Sequence, residues 1–75
     1  MKNEINNNLI TLGLRIKKIR TNLCLSQEQV ADKSSFDRTY ISMLERGKRN
    51  PSYLNLLKLC EGLDISIDDL LRDCD

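Results

Sequence analysis

Leu9, Leu12, Ile16 and Ile19 recur at intervals of three and four residues, the spacing of one apolar helix face. They predict a first helix over about Leu9 to Thr21, with Arg15, Lys17, Lys18 and Arg20 on its remaining surface. Residues 1–8 include four Asn and offer no apolar face, so they are expected to form a flexible N-terminal arm. Ser26, three residues before Gln29, has the spacing of a capping box and opens a second helix carrying Val30 and Ala31. Ala31 is small enough to let another helix cross closely over it. Asp37 is expected to cap a third helix over Arg38 to Arg46, whose stripe is Tyr40, Ile41 and Leu44. Arg38, Thr39, Ser42 and Arg46 fall off that stripe and are available to a partner. Gly47 can close the helix in the left-handed conformation, and Lys48, Arg49, Asn50 and Pro51 follow as a turn.

Ser52 is placed to cap a fourth helix through about Gly62. It has two apolar sides, one with Leu54 and Leu57, the other with Leu56, Leu59, Cys60 and Leu63. One side should fill the core, and the other either covers a second subunit or is also wrapped within the monomer. Ser66 caps a last short helix, with Asp68 and Asp69 near its positive end and Ile67, Leu70 and Leu71 apolar. Those three residues, with Ile65, are the expected dimer interface. The chain thus reads as an all-α, compact five-helix bundle, with residues 9–75 a single domain. Two short helices meeting at a tight turn before a basic loop, from Ser26 to Pro51, form a helix-turn-helix, which points to DNA.

Gln27, Ala31 and the run Ile41 to Gly47 resemble the Cro/repressor type of helix-turn-helix domain, of lambda-repressor-like fold. Asp37 to Ser42, Glu45 to Gly47 and Arg49 to Pro51 are most similar to the controller proteins of restriction-modification systems. The resemblance implies a homodimer paired through its last helices, possible pairs of dimers on adjacent sites, and an operator upstream of the protein's own gene and of an endonuclease gene. It also implies activation at low occupancy and repression when a second dimer binds. Two positions depart from the pattern. Cys24 and Ser35 stand where glycine commonly occurs, and both places call for positive φ.

Seventy-five residues allow one small domain and no separate catalytic module. The formal net charge is only +1, but residues 1–50 hold ten Lys or Arg against five Asp or Glu, and residues 51–75 hold two against six. A basic front and an acidic back would orient the protein towards phosphates. The chain has no apolar run of membrane-spanning length and no export leader, so it is expected to be cytoplasmic, without a membrane partner. It has no histidine, no glycine-rich phosphate loop and no nucleophile motif, and is expected not to be an enzyme. Its three cysteines, Cys24, Cys60 and Cys74, lack the spacing of a metal site or paired disulfides. No cofactor, metal or small-molecule ligand is expected.

Double-stranded DNA is the expected partner. Arg38 lies in the first turn of the third helix, where its planar fork can donate to guanine O6 and N7. Thr39 and Ser42 can add hydroxyl contacts to a base edge or a phosphate, and Arg49 is expected on phosphate, with the resemblance implying that it also reaches a base. Gln27, Arg46, Lys48 and Asn50 are assigned to phosphates. Tyr40 is assigned there too, with core packing of its ring as the alternative. Glu45 would repel phosphate, and the resemblance pairs it with Arg20 in a buried ion pair. The expected function is a dimeric, sequence-specific transcriptional regulator. A phage or plasmid repressor, or an antitoxin-like interaction module, are the alternatives.

Overall fold

Three serines open three of the helices. The computed structural model describes residues 2–72, and within them the order is α1 (Lys2–Asn22), α2 (Gln27–Ser34), α3 (Arg38–Glu45), α4 (Tyr53–Leu63) and α5 (Ile67–Leu71). Ser26 Oγ accepts from the Gln29 amide while Gln29 Oε1 accepts from the Ser26 amide, completing the capping box. Ser52 and Ser66 cap α4 and α5 by accepting from the amides of Asn55 and Asp69. Each bond satisfies a helix-start amide that lacks a partner within the helix. Asp37 differs from expectation. It sits at the N-cap of α3 with extended backbone, φ −78° and ψ 148°, yet its side chain makes no capping hydrogen bond. The fold therefore starts α3 by tertiary packing rather than by a local cap.

The first helix also begins earlier than its apolar stripe predicts, at Lys2 instead of Leu9. Residues 2–8 contain neither glycine nor proline, so nothing in them breaks a helix already nucleated by the packed stripe, although their four Asn are weak helix formers. Ile16 is the fully buried member of that stripe. It joins Val30, Ala31, Ile41, Leu44, Leu59, Cys60, Leu63 and Leu70 in one core. Leu12, Ile19, Leu25, Phe36, Tyr40, Leu56, Ile65 and Ile67 pack around it.

Leu70, expected on the dimer interface, is fully buried within the monomer. A five-residue helix has room for one inward residue, and Leu70 takes that place between α1 and α4. Ile65 and Ile67 are half-buried against the same core, and Leu71 is 43% exposed. On α4, Leu59, Cys60 and Leu63 face inward, whereas Leu54 is 73% exposed and Tyr53 62%. That outward side has no cover among the described residues.

Helix ends are closed by left-handed residues. Cys24 (φ 60°), Ser35 (φ 60°) and Asp64 (φ 58°) adopt this conformation although each carries a Cβ. The turn between α2 and α3 thus keeps its geometry without glycine, and the amide of Ser35 donates back to the Asp32 carbonyl. Gly47 (φ 71°) is different, because a Cβ there would lie 3.0 Å from Ile10 Cα as well as demanding the strained conformation.

Close helix packing depends on two other glycines. A Cβ on Gly13 would come within 2.6 Å of the Glu45 carbonyl oxygen, so α1 presses directly on the end of α3. A Cβ on Gly62 would lie 2.8 Å from Ser34 Cβ, where α4 crosses α2 beside buried Ala31. Gly13→Ala should gain about 1 kcal/mol of helix propensity and lose more than that by forcing the two backbones apart. Its net effect is expected to be a loss of ~1–2 kcal/mol, read from urea denaturation. An unchanged midpoint would refute the close approach.

Candidate nucleic-acid interface

The outward surface of α3 is positioned by a polar network behind it. Glu45, at the end of α3, is 7% exposed and faces Arg20 on α1. Arg20 Nε donates to Glu45 Oε2 at 2.6 Å and Nη2 donates to Oε1 at 3.0 Å, a two-pronged pair that fixes both distance and angle. Its third nitrogen, Nη1, donates to the Leu25 carbonyl at 2.8 Å and ties in the loop before α2. The hydrogen bond to Glu45 raises the Arg20 pKa above its ordinary value, overcoming the opposing effect of burial. The expected Arg20–Glu45 pair is therefore present, with more partners than foreseen.

Gln27 is the additional partner. Its Nε2 donates to Glu45 Oε1 at 3.0 Å, which turns its Oε1 outward to accept from Arg38 Nη1 at 3.3 Å. The carboxylate thus orients an amide, and the amide holds the arginine at the start of α3. Arg38 is exposed and leans on Gln27, rather than on Asp37 or Glu45. Thr39 is exposed beside it, and Ser42 is half-buried one turn on. Arg46, also exposed, donates from Nε back to the Ser42 carbonyl at 3.3 Å.

A second cluster joins the basic loop to α3 and α4. The Tyr40 ring packs at 4.8 Å between centroids against Phe36, and its hydroxyl accepts from Asn55 Nδ2 at 3.1 Å. The Arg49 guanidinium lies 5.3 Å above the same ring, within cation–π range. On the other side, Lys58 Nζ stands 4.7 Å from the Phe36 ring centre. Tyr40 therefore packs its ring against the core while its hydroxyl reaches the rim of an open cleft of about 470 Å³. Thr39, Arg49 and Asn55 share that rim, and Lys48, Arg49 and Asn50 are all exposed. Arg38, Thr39, Ser42, Arg46 and the loop cations belong to neighbouring turns of one unit. Ile65, Ile67 and Leu71, on and before α5, belong to another surface.

Asn55, Phe36 and Lys58 have no counterpart in the sequence-based assignments. Asn55 lies 15 residues from Tyr40, and nothing in local spacing links them. Among the described residues, no group of three or more His, Cys, Asp or Glu is arranged to hold a metal ion, and no helix is long and apolar enough to cross a membrane. Cys24 is exposed and Cys60 buried. Burial, with a smaller contribution from the charge of Asp69, pushes the Cys60 thiol pKa up. Cys74 lies outside the described residues.

A helix-turn-helix family matches residues 16–70. The control protein C.MunI of a Mycoplasma species is 45% identical over 65 residues, covering 85% of this chain and 88% of its own length. The crystal structure of the restriction-modification controller protein C.AhdI from Aeromonas hydrophila superposes with a TM-score of 0.81 at 45% identity, covering 83% of this chain and 94% of that one. The controller protein C.Esp1396I, solved as a tetramer with its natural 35 base-pair operator, superposes with a TM-score of 0.83 at 37% identity, covering 89% of this chain and 88% of its own.

Removing Glu45 should leave the Arg20 charge buried without its acceptor, so Glu45→Ala is expected to lower stability by about 3 kcal/mol in urea denaturation. An unchanged melting temperature would contradict the structural weight given to the pair. In thiol labelling at pH 8 with peptide mapping, Cys24 should react in the folded protein and Cys60 only after denaturation. Equal labelling of the two would show that the core opens there.

Proposed function

The chain belongs to the helix-turn-helix family, and from that premise we propose that it is a dimeric, sequence-specific DNA-binding regulator of transcription, the controller protein of a restriction-modification system. The observation that carries this reading is the likeness to controller proteins over nearly the full length of both chains, including one solved on its operator. The residues supply a matching mechanism. Arg38, fixed at the start of α3 by Gln27, donates its fork to a guanine edge in the major groove. Thr39 and Ser42 add hydroxyl contacts on the same face, and Arg49, held over Tyr40, reads a further base. Lys48, Asn50 and Arg46 take phosphates on either side, and Tyr40 adds its hydroxyl. Gln27 holds a phosphate through its backbone amide at the start of α2, because its side chain is already committed to Glu45 and Arg38.

Two subunits place their α3 helices in successive major grooves, roughly 34 Å apart, on a near-palindromic operator upstream of the gene. The acidic segment after residue 50 lies away from the phosphates and discourages reversed docking. Ile65, Ile67 and Leu71 contribute to the contact between subunits, and pairing supplements a core that a chain of this size can only make small.

The test is binding to a duplex taken from the DNA immediately upstream of the gene, beside a scrambled duplex of equal length, across a salt series. Wild type should prefer the upstream duplex by about 10³ or more. Arg38→Ala should weaken that binding by about 1–3 kcal/mol while leaving the melting temperature nearly unchanged. Equal, steeply salt-dependent binding to both duplexes would overturn sequence-specific regulation at that site.

A further inference from the structure

The first helix carries two arginines that point to different tasks. Arg20 grips Glu45 and so fixes α3. Arg15 turns to α5: its Nη2 donates to the Asp69 carbonyl at 2.7 Å and its Nε to the Leu70 carbonyl at 3.3 Å. The last carbonyls of a helix point past its end, and a guanidinium across two of them both caps the helix and opposes the negative end of its dipole. The sequence distance is 54 and 55 residues, so this is a tertiary clamp.

Such a clamp matters because α5 has only five residues and cannot persist as a helix on its own. The helix is held by the Ser66 cap on the Asp69 amide, by the buried Leu70 side chain with Ile65 and Ile67 packed beside it, and by Arg15. The cap acts within α5, and the apolar packing of Leu70 and Ile67 has little direction, so it tolerates small turns of so short a helix. Arg15 adds a directional tie from α1 to the end of α5 through the two parallel donors of one guanidinium edge, on a helix that leaves Leu71 exposed and Ile67 half-exposed. About 7.5 Å further along the same helix, Arg20 sets α3.

We propose that Arg15 is a positioning residue for subunit pairing: it orients α5 on α1, so that the partner's α5 is met at a fixed angle to the recognition helix. The inference rests on pairing through α5 as given in the proposed function. In a dimer paired through α5, one path from α3 to α3 runs through α1 and α5 of each subunit, and Arg15 is the polar joint at each α1–α5 step. Loss of the fork would leave each subunit folded and its DNA-facing surface intact, but would let α5 turn.

The experiment is sedimentation equilibrium of the full chain as wild type, Arg15→Met, Arg15→Lys and Gly13→Ala, at temperatures where all four are folded by circular dichroism. Arg15→Met keeps the aliphatic stem and removes the donors, which protects the fold. Its dimer dissociation constant should rise about tenfold or more, as expected for a lost charge-assisted contact, and Arg15→Lys should recover part of the loss. Gly13→Ala, which strains the α1–α3 contact instead, should change the constant less than twofold. A dissociation constant for Arg15→Met equal to that of wild type, or a rise matched by Gly13→Ala, would overturn the role of Arg15 while leaving pairing itself in place. A wild type that stays monomeric at every concentration while binding the upstream duplex would overturn pairing, and the proposal with it.

Discussion

Everything outward in this domain depends on one buried carboxylate. Glu45 ends α3, receives two hydrogen bonds from Arg20 on α1 and a third from Gln27 at the start of α2. Three helices that share few residues of sequence are thereby fixed to one group of atoms. Apolar packing alone would press α3 against α1 and α2 while tolerating small slides, since dispersion and burial have little direction. A carboxylate with three directional donors does not tolerate them. The network also explains how a negative residue can lie within the proposed DNA-facing surface: Glu45 is withdrawn from solvent, and its charge is matched by Arg20.

From that group the order passes outward through single contacts. Gln27 carries it to Arg38, and the packing of Phe36, Tyr40 and Arg49, steadied by Asn55, carries it to the basic loop. The exposed side chains are thus not equally free. Arg38 and Arg49 each have a preferred place in the free protein, so in the proposed function they would lose less side-chain entropy on binding than an unheld arginine. Lys48 and Asn50 are exposed on the loop, and the phosphate contacts proposed for them need less exact placement.

The parts of this architecture that were legible in the sequence are those governed by short spacing. Ser26, Ser52 and Ser66 each cap an amide three residues on, so their roles can be read from neighbours in the chain. Ile16, Ile41 and Leu44 follow from helical period, and the Arg20–Glu45 pair follows from family resemblance. What escaped depends on distant backbone. Arg15 looks like surface decoration on α1 because its acceptors are carbonyls, which every residue has. Gly13 leaves no pattern because its role is to have no side chain where α3 ends. Leu70 is buried without a sequence signal for it, because a five-residue helix has too few positions to define a face, and Asp37 has a capping residue's identity and backbone without its bond. The early start of α1 at Lys2 reflects propagation from a packed segment, which composition alone does not reveal.

The four left-handed helix exits give the chain uneven freedom to vary. At Cys24, Ser35 and Asp64 the conformation is one that glycine adopts without strain, and each side chain held there costs about 1 kcal/mol against it. These positions are places where the domain can drift between residues, trading a little stability in either direction without altering its shape. Gly47 has no such latitude, because Ile10 occupies the space that any Cβ would need. Exchange among glycine and short polar residues should therefore be accepted at three of these corners and purged at the fourth, so that of these four alike turns only one is locked to a single amino acid.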